Sequence, residues 1–161
     1  MDMSTDRLAL QIERLERLNA HLTFRIFRLS KLLEAEGSNR LTGSGINLTS
    51  YRMMMIVNIF EKITISDLSR LMVVDRAQIS RAATDLIQRG YLEASSDRKS
   101  KRKKLLSLTD WGRGEFEKLL ALFDKRQSDI EGLLSEPEMA SLWTSIEKMS
   151  DYLTEEIQSA K

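Results

Sequence analysis

The sequence predicts a mainly α-helical fold that contains one small antiparallel β-hairpin (α+β). Apolar residues recur at helical spacing over most of the chain, and its 161 residues include only one proline. Two short β-like runs, Tyr91–Ser95 and Lys104–Thr109, lie on either side of the basic stretch DRKSKRK at residues 97–103. Because so short a connection joins antiparallel strands, the two runs predict a hairpin with a cationic tip.

The first predicted helix has apolar residues spaced alternately by four and three, which is a heptad pattern. Asn19 takes one position of this seam, where a buried amide lowers stability but fixes register and partner number. Because further apolar residues flank the seam, we expect the helix to contact both its own domain and a second chain. A long helix that packs only on its own domain is the alternative. The apolar seam positions are Leu8, Ile12, Leu15, Leu22, Ile26, Leu29 and Leu33.

A glycine- and serine-rich break is predicted at residues 36–45, and three shorter helices follow it. Each begins behind a residue suited to N-capping, and the third ends at Gly90. A short β-like run, Ile63–Ile65, separates the first two helices. With the hairpin that follows Gly90, this order is that of a winged helix-turn-helix. The three helices, with their capping residues, are Ser50–Glu61 (Thr49), Asp67–Val73 (Ser66) and Arg76–Arg89 (Asp75).

Two more helices are predicted after the hairpin. Asp110 is expected to cap the first, and Ser135 is expected to cap the last, which has Pro137 in its first turn. Together with the N-terminal helix, these two helices predict a separate helical layer. The apolar stripe of the last helix consists of Leu142, Ile146, Met149, Leu153 and Ile157.

The helix Arg76–Arg89 has one polar and one apolar side. Arg, Gln, Ser and Thr side chains of the polar side are those that hydrogen-bond to base edges and phosphates in the major groove. The alternative is an ordinary amphipathic helix with a solvated polar side, on which Arg81 and Asp85 form a surface pair. The apolar side consists of Ile79, Ala82, Ala83, Leu86 and Ile87. The polar side consists of Ala77, Arg81, Thr84 and Gln88, flanked by Gln78 and Ser80.

The hairpin tip concentrates the positive charge of the chain. Residues Asp97–Lys104 contain six basic residues and one acidic residue, a net charge of +5 in a chain whose net charge is +1. Each Lys or Arg that displaces a counterion from a phosphate backbone adds affinity for nucleic acid. The tip therefore indicates a polyanionic partner. A solvated, disordered loop is the alternative.

The composition excludes several other classes of protein. The chain has no cysteine and one histidine, so we expect neither a disulfide, a thiol sensor nor a zinc site. It has no long apolar run and no signal sequence, which favours a cytoplasmic protein without a membrane span. No nucleophile–base pair and no phosphate-cradling glycine loop is apparent, so we expect neither an enzyme nor a cofactor.

The stretch Leu48–Phe116 resembles the MarR-type transcriptional regulators. The most telling segments are DRAQISRAATDLIQRGYLE, from Asp75 to Glu93, and LSLTDWGR, from Leu106 to Arg113. The second segment is similar to the LT-x-x-G sequence with which the family ends its wing and starts the next helix. The resemblance covers nearly the whole chain if the terminal helices form a dimerisation layer.

The resemblance implies that Arg76–Arg89 is the recognition helix and that Arg102 is the wing arginine that enters the minor groove. Ser100 departs from the family pattern, which has an acidic residue there that holds the wing arginine; Asp97 is a candidate substitute. The resemblance also implies one domain over residues 1–161. Its DNA-binding lobe spans 48–110, and its dimerisation helices lie in 6–35 and 111–159. Dimer contacts are expected at Leu15, Asn19, Leu22, Leu142, Ile146 and Leu153.

Family members often respond to small aromatic anions, and the N-terminal helix offers a candidate site. His21, Arg25 and Arg28 are spaced to form a cationic stripe, with Phe24, Phe27 and Met53–Met55 as apolar walls. In the alternative, the two arginines pair with acidic residues of a neighbouring helix and the histidine is a partly buried polar residue.

We therefore expect a homodimeric transcription regulator that binds a pseudo-palindromic double-stranded DNA and acts as a repressor, with a small aromatic or phenolic ligand as the candidate that relieves repression. The alternative is a winged-helix module that binds protein or RNA without reading bases. The residues expected to contact DNA are Arg76, Gln78, Ser80, Arg81, Thr84, Arg98, Lys99, Lys101, Arg102 and Lys103.

Overall fold

The computed structural model describes residues 3–96 and 104–159, and it confirms the predicted class of a mainly helical protein with a small antiparallel sheet. These residues divide into two compact units, of which the first ends at Leu119 and the second begins at Leu120. The elements are α1 (Met3–Ala20), α2 (Leu22–Arg40), α3 (Leu48–Phe60), β1 (Ile63–Thr64), α4 (Ile65–Met72), α5 (Arg76–Gln88), β2 (Leu92–Ser96), β3 (Lys104–Leu108), α6 (Asp110–Glu131) and α7 (Glu136–Ser159).

The prediction of one continuous N-terminal helix is wrong, because the chain is extended at His21 (φ −79°, ψ 117°). The His21 N–H donates to the Leu18 carbonyl at 3.2 Å, and its carbonyl accepts from the Arg25 N–H at 3.1 Å. The Arg25 guanidinium also donates to the Asn19 carbonyl, which is one of the free acceptors at the end of α1. These bonds pair the His21 backbone and the Asn19 carbonyl at the break, which divides the heptad seam between two helices.

The break predicted at residues 36–45 is shorter in the structure, because α2 continues to Arg40. An ion pair between Arg40 and Glu36 spans this last turn, and Gly37 is buried within it. The loop that follows ends at Asn47, whose side chain accepts a hydrogen bond from the Ser50 N–H at 2.8 Å. Asn47 is therefore the N-cap of α3, two residues earlier than the predicted cap at Thr49.

The first unit packs α3, α4 and α5 on a three-stranded antiparallel sheet of order β1-β3-β2, and Phe116 of α6 stacks on Tyr51 of α3. In this sheet Ile63 pairs with Leu106, and Leu92 pairs with Leu108. Burying each large apolar side chain contributes roughly 1.5–3 kcal/mol to the free energy of unfolding, so this core is the main source of stability of the first unit. Its largest fully buried side chains are Phe116, Met53, Met54, Leu68, Ile79, Leu86, Leu92, Leu106 and Val57.

Thr64 is the N-cap of α4, since its hydroxyl oxygen accepts from the Asp67 N–H at 3.1 Å. The helix therefore begins at Ile65, and the predicted cap Ser66 lies inside it. Asp75 caps α5 as predicted, and its carboxylate accepts from the N–H groups of Ala77 and Gln78 at 2.9 and 3.2 Å.

Thr109 joins the end of α5, the sheet and the start of α6. Its N–H donates to the Tyr91 carbonyl at 3.1 Å, and its hydroxyl donates to the Gly90 carbonyl at 2.6 Å. The same hydroxyl oxygen accepts from the Gly112 N–H at 2.9 Å, so Thr109 caps α6 in place of the predicted Asp110. A Cβ on Gly112 would lie 2.0 Å from the Tyr91 carbonyl oxygen, which explains the glycine at this position.

The second unit contains the end of α6 and the whole of α7. Glu138 reaches back to cap the start of α7: the Ser135 N–H and hydroxyl donate to the Glu138 carboxylate at 2.9 and 2.6 Å. These bonds lower the pKa of Glu138, so the capping contribution is present at neutral pH and is lost when acid protonates this carboxyl. Pro137 lies in the first turn, as predicted.

No helix between residues 3 and 96 or between 104 and 159 is long and apolar enough to cross a membrane.

We predict that Gly112→Ala destabilises the protein by about 2–3 kcal/mol, because the added methyl group overlaps the Tyr91 backbone. Gly114→Ala is the matched control on the same helix, since a Cβ at Gly114 would meet no atom within 4 Å. It should leave stability unchanged or raise it by up to about 1 kcal/mol through helix propensity. Chemical unfolding of the three proteins measures both effects, and equal stabilities of the two variants would contradict the packing argument.

Candidate nucleic-acid interface

The buried side of α5 fixes the direction in which its polar side points. Ile79, Ala83 and Leu86 are fully buried in the core of the lobe, and Ala82 is half-buried beside them. Ile87, which was predicted to face the core, is exposed instead. It lies at the edge of the buried stripe, where the helix surface turns away from the sheet.

The opposite side of α5 is polar and open to solvent. Arg76, Gln78, Arg81 and Thr84 are exposed, whereas Ser80 is half-buried. The Thr84 hydroxyl donates to the Ser80 carbonyl at 2.9 Å, which leaves the Thr84 oxygen as a hydrogen-bond acceptor for a ligand. This side therefore presents two guanidinium groups, an amide and a hydroxyl around the exposed Ala77.

Asp85 does not form the surface pair with Arg81 that the sequence allowed. Its carboxylate lies 3.3 Å from a guanidinium nitrogen of Arg89, the C-cap residue of α5. No ion pair involves Arg81 within the part of the chain that the structure describes. Among the described residues, its guanidinium therefore has no ion-pair partner to release before it could bind a nucleic acid.

The two strands of the wing lead to the basic tip. They pair in register from Leu92 opposite Leu108 to Ser96 opposite Lys104, and Lys104 is exposed. Residues 97–103 lie outside the described residues. They include five of the predicted contact residues, namely Arg98, Lys99, Lys101, Arg102 and Lys103, together with Ser100.

Comparison with known proteins agrees with this arrangement. A sequence model of the MarR family matches residues 44–103, which run from the loop before α3 to the wing tip. The HTH-type transcriptional regulator BilQ of Clostridium symbiosum (strain WAL-14163) is 30% identical to this chain over 83 residues. That alignment covers 52% of this chain and 58% of BilQ, so the match spans little more than half of the relative.

The sequence of residues 44–103 is therefore similar to that of the MarR family.

Solved structures of this family share the fold of most of the chain. A MarR/EmrR family transcriptional regulator from Acinetobacter sp. ADP1 superposes with a TM-score of 0.79 at 22% identity, covering 86% of this chain and 98% of that one. A mutant MarR from E. coli in complex with operator DNA superposes with a TM-score of 0.65 at 20% identity, covering 80% and 98%. At these identities the likeness concerns the fold.

Arg89, directly after α5, links the end of this helix to the loop that leads into the wing. Its guanidinium lies 5.0 Å from the centre of the Tyr91 ring and donates to the Tyr91 hydroxyl at 3.3 Å. The Tyr91 ring in turn packs on Trp111 of α6, with 4.4 Å between ring centres. Sequence reasoning missed this cluster, because its members belong to three elements and share no spacing pattern.

The structure does not assemble the predicted anion pocket. His21 lies in the extended break, and the Arg25 guanidinium bonds to the Asn19 carbonyl. Met53 and Met54 are fully buried in the lobe core and do not form walls for Arg28. What exists instead is an open cleft of about 390 Å³ lined by Asn19, Arg25, Arg28, Leu29 and Leu32.

The predicted dimer residues carry apolar surface that their own units leave exposed. In the first unit Leu15 and Leu22 are 57% and 60% exposed, and Asn19 is half-buried. In the second unit Leu142, Ile146 and Leu153 are 43%, 40% and 55% exposed. No residue of α7 between Glu136 and Ser159 is buried, although the helix is 24 residues long.

Proposed function

We propose that this protein is a transcription regulator that binds double-stranded DNA in a sequence-specific manner, in the cytoplasm. The main support for the proposal is the exposed polar side of α5. The buried apolar side of the same helix fixes its direction, and Asp75 caps its N-terminus. A helix of this kind fits the major groove, where Arg reads guanine and Gln reads adenine. The operator complex of the E. coli MarR protein, which has the same fold, supports this reading.

The proposed DNA contacts fall into two groups: those that read bases, and those that add affinity without reading sequence. Arg81, Gln78 and Thr84 lie on the exposed side of α5 and would contact base edges, with Arg76 and Ser80 at its border. The basic residues of the tip would contact phosphates and the minor groove, where they add affinity without reading sequence. Ser100 stands where the family has an acidic residue, so Arg102 would lack that anchor.

We infer that two chains form the DNA-binding unit. Residues 48–110 would bind DNA, and helices in 6–35 and 111–159 would pair two chains. A stripe of apolar side chains on α7 supports this inference. No residue of this helix is buried within one chain, so a second chain that covered the stripe would stabilise it. Two recognition helices would then enter successive major grooves about 34–36 Å apart on a pseudo-palindromic site. Occupation of such a site would exclude other proteins from it, so repression is the simplest mode of action.

A small aromatic anion is the candidate effector of the regulator. The cleft beside α2 places the Arg28 guanidinium next to Leu29 and Leu32, and its volume of about 390 Å³ suits one ring.

If such a site operates, benzoate should raise the melting temperature of the wild type but not that of Arg28→Ala, whereas neutral benzamide should affect neither. A benzoate shift that Arg28→Ala retains would place the anion elsewhere.

We predict that Arg81→Ala reduces the preference for a selected duplex over a random one by about 1–3 kcal/mol, because one bidentate base contact is lost. Fluorescence anisotropy with both duplexes measures the preference. Arg17→Ala is the matched control, since it removes the same charge from an exposed position on α1.

Substitution at the tip should have a different effect. Arg102→Ala should weaken binding to both duplexes alike and reduce the salt slope by about one. An equal loss on both duplexes for Arg81→Ala would favour a winged-helix module that does not read bases.

We predict that Ile146→Glu converts the dimer into a monomer at micromolar concentration, because it places a charge in the apolar stripe of α7. Sedimentation velocity measures the change. Thr144→Glu adds the same charge to an exposed position away from the stripe and should leave the dimer intact. A wild type that sediments as a monomer would contradict the inferred pairing.

A further inference from the structure

The turn between α4 and α5 contains an unusual backbone conformation. Val73 has φ 52° and ψ 43°, which is the left-handed region, and its side chain is 82% exposed. A β-branched residue is an outlier in this region because its side chain approaches the following carbonyl oxygen. Since so much of its side chain is exposed, its own packing cannot hold it there. The turn must therefore be held by neighbouring groups.

Ser69 supplies two of the bonds that close this turn. Its carbonyl accepts from the Val74 N–H at 3.1 Å, and its hydroxyl donates to the Val74 carbonyl at 2.7 Å. The Val73 N–H adds a longer bond to the Arg70 carbonyl at 3.3 Å. Ser69 thus holds both polar groups of Val74, and its hydroxyl is the side-chain group that fixes the peptide leading into Asp75.

That peptide decides how α5 begins. Asp75 follows Val74 directly, and its carboxylate accepts from the N–H groups of Ala77 and Gln78 at 2.9 and 3.2 Å. A rotation of the Val74–Asp75 peptide would move the cap relative to the helix. It would also change the angle at which the first turn of α5 leaves α4, and with it the direction of Arg76 and Gln78.

We propose that Ser69 is a positioning residue for sequence recognition. Its hydroxyl holds Val73 in the left-handed conformation, so that the polar side of α5 meets the major groove at one fixed angle. This inference rests on the proposed function. It goes beyond that function by assigning specificity to a side chain on α4 that does not belong to the polar side of α5.

Four proteins test the proposal: the wild type, Ser69→Thr, Ser69→Ala, and Ser69→Ala combined with Val73→Gly. Threonine retains the hydroxyl and should behave as the wild type. Alanine removes the hydroxyl bond to the Val74 carbonyl and keeps the backbone bonds of the turn. Glycine adopts the left-handed conformation without a steric penalty, so the turn should form in the double variant without the hydroxyl.

The first measurement is the ratio of affinities for a duplex selected from a random library and for a random-sequence duplex. Ser69→Ala should lower this ratio about three- to tenfold, the effect of one neutral hydrogen bond. The double variant should recover it. A merely structural role would lower stability and both affinities together, leaving the ratio unchanged, and that result would overturn the proposal.

The second measurement is amide hydrogen exchange of the free protein at Ala77 and Gln78. Exchange should accelerate in Ser69→Ala and return to the wild-type rate in the double variant. Unchanged exchange in Ser69→Ala would overturn the proposal without any DNA. If the wild type binds no duplex while exchange responds as expected, the proposed function fails and the role of Ser69 in recognition fails with it, although Ser69 still holds the turn.

Discussion

Three hydrogen bonds at Thr109 hold the loop after α5, the end of β3 and the first turn of α6 at one point. The close approach of Gly112 to the Tyr91 carbonyl leaves no room for another arrangement of these segments. Because β3 is the central strand, this junction also determines where the wing lies relative to α5. The position of the polar side of α5 relative to the wing strands therefore depends on it. Thr109 and Gly112, which form this junction, are the threonine and the glycine of the LT-x-x-G sequence.

The end of α5 is held from a second direction by Arg89. Its guanidinium contacts Asp85 on the same helix and the Tyr91 ring in the loop, and that ring packs on Trp111. The start of α5 is held by Asp75 and by the turn at Val73. A helix fixed at both ends and along its buried side presents its polar side with little freedom. Under the proposed function, that rigidity would lower the entropic cost of forming several base contacts at once.

Much of the winged-helix part of the first unit could be predicted from the sequence, because its signals are local. The 3.6-residue period of Ile79, Ala83 and Leu86 predicted the buried side of α5, and Asp75 and Gly90 marked its ends. The β-like runs around the basic stretch predicted the two wing strands. Cap positions were harder to predict where two suitable residues lie close together, as with Asn47 and Thr49.

Other features depend on contacts that a local pattern does not contain. The heptad spacing runs through His21 without interruption, yet the chain breaks there and Arg25 bonds back to Asn19. Met53 and Met54, proposed as pocket walls, instead fill the core of the lobe. The cluster around Arg89 joins residues from three elements. None of these arrangements follows from spacing alone.

The central claim is that the polar side of α5 reads the sequence of double-stranded DNA within a two-fold symmetric protein. Repeated selection of bound duplexes from a random library, with the full chain as bait, tests it most directly. We expect enrichment of an inverted repeat whose half-site centres lie about one helical turn, or roughly 10–10.5 base pairs, apart. Recovery of duplexes with no common sequence, bound no more tightly than the starting library, would contradict the claim.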